Sequence, residues 1–204
     1  MKTITKEYQV FYFDELSDEA KEKAIEKARE WACTDNFWHD FLIDDAKEIG
    51  RIIGIDIKNI YFSGFSSQGD GASLEGSYKY RKGSVKELKK YAPKDKELHR
   101  IALELSKIQR KFFYQLSATV KQSGHYMHEL CTDIDVYNDA DNRPGWSNEI
   151  NEYEDAAKDL LRDFMCWIYK MLEREFEHQT SDEVLIENIK INGYEFNTDG
   201  SLFY

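Results

Sequence analysis

Residues 55–80, with the sequence IDIKNIYFSGFSSQGDGASLEGSYKY, decide the fold class of this chain. The runs IDIKNIYFSGF and ASLEGSYKY alternate between apolar and polar residues, which is typical of strands with one buried face. Between them stands SSQGDG, which is too polar and too rich in glycine to continue either strand. The segment therefore predicts a β-hairpin with a long loop at its tip.

The same patterns extend outward from this hairpin. The predicted elements are a strand over residues 3–13, a helix capped by Ser17, a helix over 37–53, the hairpin, a short helix from Ser84, a helix from Asp95 to 112, two strands joined at Ser123-Gly124, a loop over 138–149, a long helix over 149–176, a helix capped by Ser181 and a terminal strand pair turning at Asp199-Gly200. No linker, repeat or low-complexity tract interrupts them. We therefore predict a single α+β domain over residues 1–204, with an antiparallel sheet covered by helices.

Composition excludes several classes of protein. With 41% hydrophobic and 14% aromatic residues, the chain can form a core without a metal or a disulfide. No run approaches the roughly 18–20 consecutive apolar residues of a membrane span, and the N-terminus lacks the apolar run of a signal peptide. Cys33, Cys131 and Cys166 form no C-x-x-C pair, which disfavours a disulfide framework and a zinc site. We predict a cytoplasmic protein with no membrane partner, metal or cofactor.

Charge is distributed unevenly along the chain. Residues 79–121 hold 13 basic and 4 acidic residues and carry +9, whereas the rest carries −20, for a net charge of −11. One interpretation is internal ion pairing between the two parts. The other is a basic patch on an acidic body, which attracts a small anionic nucleotide or docks an acidic partner, while the acidic surface engages a nucleic-acid-binding host protein. Duplex nucleic acid is disfavoured, because the acidic remainder repels its phosphates.

The most informative segment for function is residues 63–73, SGFSSQGDGAS. Its glycines permit close backbone approach, and it offers hydroxyls, an amide and a carboxylate between two strands. Such a loop can present backbone N–H groups to an anion. It contains no Walker A, Rossmann or G-x-S-x-G motif. The alternative is a wide hairpin loop whose Ser67, Gln68 and Asp70 hydrogen-bond their own backbone.

The second informative segment is residues 124–136. Interpreted as a strand, it places His125, Glu129 and Asp133 on a polar face and His128 on an apolar face. The two histidines then point apart, which argues against a shared metal site. His128 is predicted to be a hydrogen-bonded core histidine, whereas His125 and Glu129 form either an acid–base group or a solvated strand face. The candidate binding residues from both segments are Ser63, Gly64, Ser67, Gln68, Asp70, Gly71, His125 and Glu129.

Three strings, FSGFSSQGDGASLEG (62–76), GHYMHE (124–129) and SDEVLIENIKINGYEFNTDG (181–200), carry a resemblance. With FDELSDEAKEKA near the start, they resemble a group of tailed-phage and prophage proteins of similar length. These proteins often carry the loose label of antitoxin of a toxin–antitoxin stability system. The resemblance implies a phage accessory protein that acts in a bacterial cytoplasm, and it transfers no catalytic residue.

Three hypotheses for function follow. The first, which we favour, is a binding or inhibitory protein that acts on a host defence or toxin component, or on its nucleotide signal. The second is a phosphate-ester hydrolase that uses Asp70, His125 and Glu129 around the glycine-rich loop. The third is a structural or assembly protein whose charge asymmetry serves self-association.

Overall fold

In the computed structural model, which describes residues 1–34, 37–138 and 147–203, the chain combines helices with short antiparallel strands. In chain order the elements are β1 (Phe11–Tyr12), α1 (Asp18–Thr34), α2 (Asp40–Ile53), β2 (Ile55–Phe62), β3 (Ala72–Lys79), α3 (Ser84–Tyr91), α4 (Lys96–Lys111), β4 (Leu116–Gln122), β5 (Thr132–Asn138), α5 (Ser147–Gln179), α6 (Asp182–Ile191) and β6 (Glu195–Phe196). The α+β class, the antiparallel sheet and its helical cover are confirmed.

The chain divides into two compact units. Unit 1 consists of Met1–Trp38 and Arg174–Tyr204, and unit 2 of His39–Glu173. The boundary between Glu173 and Arg174 lies inside α5, so this helix contributes to both units. On the sequence, unit 1 holds 8 basic and 16 acidic residues and unit 2 holds 20 and 23, so unit 1 carries most of the net negative charge. The prediction of one domain over residues 1–204 stays a prediction.

Unit 2 is built on a four-stranded antiparallel sheet in the order β2-β3-β4-β5. Two adjacent rows across the strands show its alternation: Ile55, Tyr78, Ala118 and Val136, then Asp56, Ser77, Thr119 and Asp135. The apolar rows form the inner face, α2 contacts β2, and α4 and α5 contribute further buried apolar side chains to the core. The polar rows form the outer face. The predicted hairpin over residues 55–80 is therefore confirmed, with its loop between β2 and β3.

The ends of two helices in unit 2 follow from single residues. Gly54 ends α2 at a φ of +93°, and a Cβ there would stand 2.1 Å from the carbonyl oxygen of Lys79, so only glycine fits. Asp95 begins α4, because one carboxylate oxygen accepts a hydrogen bond from the backbone N–H of Leu98 at 3.0 Å. Its other oxygen accepts from the indole N–H of Trp167 at 2.8 Å, which ties the start of α4 to α5.

Unit 1 joins the first and last parts of the chain. β1 pairs antiparallel with β6, with Phe11 opposite Phe196, and Leu202 bridges to Phe196 after a turn. The predicted turn at Asp199-Gly200 is confirmed. Gly200 has a φ of +82°, and a Cβ there would meet the carbonyl oxygen of Ala20 at 2.1 Å. The shared core consists of Phe13, Leu16, Ala20, Ala24, Ile189 and Phe196.

The strand predicted over residues 3–13 is wrong for most of its length, since only Phe11 and Tyr12 are in a strand. The physical reason is that their partner β6 is only two residues long, so residues 3–10 have no strand to pair with and lie exposed. The loop predicted over 138–149 lies outside the described residues at 139–146. None of the helices in the described ranges combines the length and apolar content needed to cross a lipid bilayer.

Candidate functional site

Two loops lie at the same end of the unit 2 sheet. One joins β2 to β3 over residues 63–71, and the other joins β4 to β5 over residues 123–131. Neighbouring antiparallel hairpins place their connections at one edge, and here the two connections touch. A Cβ built on Gly71 would stand 3.0 Å from the Cα of His128 and 3.1 Å from its imidazole ring. We call residues 63–71 and 123–131 together the loop end.

The glycine-rich loop is ordered by its own carboxylate. Asp70 Oδ2 accepts hydrogen bonds from the backbone N–H groups of Ser66 at 3.0 Å and Ser67 at 2.6 Å. These bonds hold the pKa of the Asp70 carboxyl below its usual value, and the bond from Ser67 has the largest effect. The loop was predicted to present backbone N–H groups to an anion, but those of Ser66 and Ser67 bind Asp70 instead. Of the alternatives for this loop, the geometry supports self-bonding at Asp70.

Further contacts fix both ends of this loop. Ser63 donates its backbone N–H to the carbonyl of Gly71 at 3.1 Å, and the Ser63 hydroxyl oxygen accepts from the N–H of Gly71 at 3.1 Å. The hydroxyl of Tyr169 on α5 donates to the carbonyl of Gly64 at 3.2 Å. The ring of Phe65 packs between Phe62 and Tyr169, with ring centroids 6.1 and 5.5 Å apart. The loop is thus attached to both the sheet and α5, while Ser67 and Gln68 remain exposed.

The strand predicted from His125 is wrong, because β5 begins only at Thr132. β4 ends at Gln122, so residues 123–131 have no strand opposite them and bond locally instead. The side-chain amide of Gln122 donates to the carbonyls of Gly124 and Tyr126 at 3.2 and 2.8 Å. The N–H groups of Ser123 and Gly124 both donate to the carbonyl of Cys131 at 3.2 Å. The predicted two-residue turn is thus a nine-residue connection, and the predicted strand faces for His125 and Glu129 do not exist.

The histidine that touches the glycine-rich loop is His128 and not His125. His128 is half-buried beside Gly71, its Nδ1 accepts from the N–H of Leu130 at 3.2 Å, and the same atom lies 3.1 Å from Glu129 Oε2. The ring of His125 is exposed and packs edge-on against Tyr126, with centroids 5.4 Å apart. In the part of the chain that the structure describes, no hydrogen bond or ring contact joins His125 to the glycine-rich loop.

A cysteine on α5 completes the polar cluster under the loops. The thiol of Cys166 lies close to the carboxylate of Glu129. Burial first, and then the charge of Glu129, raise the pKa of Cys166 to about 11. The group therefore stays a thiol at neutral pH and is not an activated nucleophile. Sequence reasoning missed this contact, because nothing in the spacing between residues 129 and 166 signals it. Across the described ranges, no three His, Cys, Asp or Glu side chains cluster as metal ligands.

Two large apolar side chains project from the loop end into solvent. Tyr126 is 62% exposed and Leu130 is 69% exposed. The backbone on either side of them is held by the hydrogen bonds described above, and by one from the N–H of Cys131 to the carbonyl of His128 at 2.9 Å. The loop end therefore presents apolar side chains on a fixed backbone, while Asp70, His128 and Glu129 contact one another or the backbone.

Comparison with known proteins assigns the family of unit 2. No curated protein and no solved structure matches the chain at a significant level. A family model does match residues 38–182, which is most of the chain and spans the whole of unit 2. The chain belongs to the family described as domain of unknown function DUF8835.

Proposed function

We propose that this chain is a binding protein that recognises a partner protein through its loop end. The observation that carries the proposal is the exposure of Tyr126 and Leu130 on a fixed backbone. Exposed apolar side chains cost free energy in the isolated protein, and tyrosine is among the residues that contribute most to protein interfaces. A surface of this kind is expected to become buried on binding.

The rigidity of the loop end supports the same proposal. A loop that is already ordered loses little conformational entropy when a partner binds, so more of the contact energy appears as affinity. The connection over residues 123–131 is ordered by Gln122 and Cys131, and the glycine-rich loop by Asp70 and Tyr169. The contact of Gly71 with His128 then joins the two loops into one surface.

The geometry gives less support to a phosphate-ester hydrolase. A general base needs a free carboxylate or imidazole aimed at substrate. Asp70 is bonded to two N–H groups of its own loop, the Glu129 carboxylate lies 3.1 Å from His128 Nδ1, and the exposed His125 ring packs against Tyr126. The same bonds weigh against the glycine-rich loop as a site for a small anionic nucleotide.

The finer proposal concerns the partner. Resemblance to phage and prophage proteins supports a phage accessory protein in the cytoplasm of a bacterial host, where it binds and inhibits a component of a defence or toxin system. An acidic body, with a net charge of −11, suits a basic partner such as a host protein that itself binds nucleic acid.

The experiment compares two double variants. Tyr126→Ser/Leu130→Ser removes both projecting side chains, and Phe41→Ser/Leu103→Ser is the matched control, because Phe41 and Leu103 are also exposed in unit 2. Each protein is used to capture partners from bacterial lysate, and the captured protein is then purified for affinity measurement. Loss of two apolar anchors is expected to raise Kd at least roughly tenfold, while the control stays within about twofold.

Two outcomes would contradict the proposal. One is equal affinity of the loop variant and the control for the purified partner. The other is a nucleotide that raises the melting temperature of the wild-type protein and is hydrolysed by it, which would instead indicate an enzyme. A nucleotide shift that persists in Asp70→Ala would place that ligand away from the glycine-rich loop.

A further inference from the structure

The opposite end of the unit 2 sheet carries two exposed aromatic residues in an unfavourable backbone conformation. Phe113 and Tyr114, between α4 and β4, have φ values of +53° and +65°. Left-handed backbone is costly for any residue with a Cβ, and bulky residues rarely adopt it. Their side chains are nevertheless 59% and 45% exposed. Such a conformation persists only where the surrounding structure enforces it.

A buried glutamine enforces it here. Gln109 is fully buried, and its side-chain amide donates to the carbonyl of Leu116 at 2.7 Å and accepts from the N–H of Leu116 at 3.3 Å. The backbone carbonyl of Gln109 also accepts from the N–H of Tyr114 at 2.7 Å. These bonds fix the distance between the end of α4 and the start of β4. The short connection between them therefore adopts positive φ at Phe113 and Tyr114, and both side chains are exposed.

One further aromatic ring contacts Tyr114, and another lies on a register row that starts next to it. The ring of Tyr114 stacks on Tyr80 at a centroid distance of 4.4 Å and an interplanar angle of 33°. Tyr80 directly follows Lys79 at the end of β3. Lys79 lies opposite Ser117 on β4, and Ser117 lies opposite Tyr137 on β5. This register row lies on the outer face of the sheet, and it spans about 10 Å from Lys79 to Tyr137. Tyr137 is exposed at the far end of the row.

Basic residues lie close to these aromatic residues in the sequence. Lys79, Lys82 and Arg110 are exposed, and in the part of the chain that the structure describes no carboxylate lies within ion-pair distance of them. Other basic residues of the same stretch are paired, such as Lys107 with Glu104 at 2.6 Å. We call Tyr80, Phe113, Tyr114 and Tyr137, together with Lys79, Lys82 and Arg110, the aromatic–basic end.

We propose that the aromatic–basic end binds single-stranded nucleic acid. Successive unpaired bases stack on the exposed faces of Phe113, Tyr114 and Tyr137, and the phosphates between them contact Lys79, Lys82 and Arg110. Stacking of bases on aromatic side chains combined with backbone contacts to cations is the general mode of binding single strands. Paired bases in a duplex have no free faces to offer, so the same surface discriminates against duplex.

An acidic protein segment is the main competing ligand. It would account for the unpaired cations, but it gives no role to two aromatic rings held outward against the backbone preference. The net negative charge of the chain repels either ligand at long range, so binding of a strand is expected to be weak and sensitive to salt.

The test measures fluorescence anisotropy of labelled fifteen-residue oligothymidine and oligouridine with the full chain, at low and moderate salt. The main variant is Phe113→Gly/Tyr114→Gly, because glycine accepts positive φ and the change removes both rings without adding backbone strain. It should weaken binding at least roughly tenfold. Tyr137→Ser, on a different element, gives an independent reading of the same surface.

Charge is tested separately. Lys79→Gln/Lys82→Gln should lower the slope of log K against log salt by about 1.4, because each phosphate contact with a single strand contributes about 0.7. Lys89→Gln/Lys90→Gln is the control with the same change of charge, on exposed residues of α3 outside the aromatic–basic end, and its affinity should stay within about twofold of wild type.

The proposal fails if the wild-type protein binds neither oligonucleotide at low salt, or if the glycine variant, folded by circular dichroism, binds as tightly as wild type. Equal binding of duplex and single strand would also overturn it. If an oligoglutamate peptide binds more tightly than oligothymidine, the surface is a docking site for an acidic protein.

Discussion

The two ends of the unit 2 sheet present opposite chemistry on the same framework. At the loop end, Asp70, Glu129 and His128 are bonded within the protein, and the groups left over for a partner are the apolar side chains of Tyr126 and Leu130. At the aromatic–basic end, Lys79, Lys82 and Arg110 have no ion pair among the described residues, and the backbone that carries the rings is held by Gln109. The difference shows that polar residues alone do not mark a site; what matters is whether their bonds are already made.

A glutamine at each end provides the sharpest test of this contrast. Gln109→Ala leaves the buried N–H and carbonyl of Leu116 without partners and should lower the free energy of unfolding by about 2–4 kcal/mol. Gln122→Ala removes bonds to carbonyls near the surface and should cost only about 1 kcal/mol. Urea denaturation measures both, and equal losses would show that the two connections are held with similar strength.

The contact between the two loops is tested by glycine substitution. Gly71→Ala places a Cβ 3.0 Å from the backbone of His128 and should destabilise the protein by about 1–3 kcal/mol, because backbone cannot move aside cheaply. Gly64→Ala is the control, since its nearest neighbour is Asp70 Oδ2 at 3.6 Å, an ordinary contact. Thermal denaturation of Gly71→Ala at the wild-type midpoint would mean that the loops are not packed together.

The backbone conformation at Phe113 predicts that a glycine variant is more stable than an alanine variant, which reverses the usual order. Phe113→Gly should be more stable than Phe113→Ala by about 1 kcal/mol, because glycine adopts a φ of +53° without steric cost. Elsewhere glycine is normally the less stable of the two. Chemical denaturation of both variants measures the difference, and a more stable alanine variant would show that the connection relaxes to negative φ.

The smallest effect is a pH dependence at Asp70. Its folded-state pKa is lowered by the N–H groups of Ser67 and Ser66, so its stabilising contribution is complete above the unfolded-state pKa of about 3.9 and is lost as pH falls through the folded value. Wild type should therefore exceed Asp70→Asn in stability at pH 7, with the gap closing below about pH 4. A gap that does not vary between pH 7 and pH 3 would exclude a charge-dependent role.

Much of the fold follows from sequence because its signals are local. The alternation of residues 55–80 predicts β2 and β3, and the caps Asp95 and Ser181 predict the starts of α4 and α6. The strand over 3–13 was mispredicted because strand length depends on a partner far along the chain, and β6 is short. Local propensity contains no information about that partner.

The candidate site was less predictable for the same reason. The alternating pattern correctly predicted a glycine-rich loop between two strands. Which histidine contacts that loop, however, depends on where β5 begins. Cys166 approaches Glu129 only through the packing of α5. Gln109 is a polar residue in an apolar helical stripe, and its role is set by Leu116 across a turn. Nothing in the sequence marks Phe113 and Tyr114 as positions of positive φ, because such positions are normally recognised by the presence of glycine.

The pairing of β1 with β6 has a consequence for how the chain folds during synthesis. Residues Phe11 and Tyr12 leave the ribosome long before their partners Phe196 and Glu195 are synthesised. All four strands of the unit 2 sheet lie within residues 39–173, so this sheet can form before α6 is synthesised. Until then Phe13, Ala20 and Ala24 lack the part of their core that α6 supplies. Ribosome stalling or truncation before residue 189 is therefore expected to release a chain in which unit 2 is folded and the apolar side chains of the N-terminal segment are exposed. Chaperones and proteases would recognise such a segment.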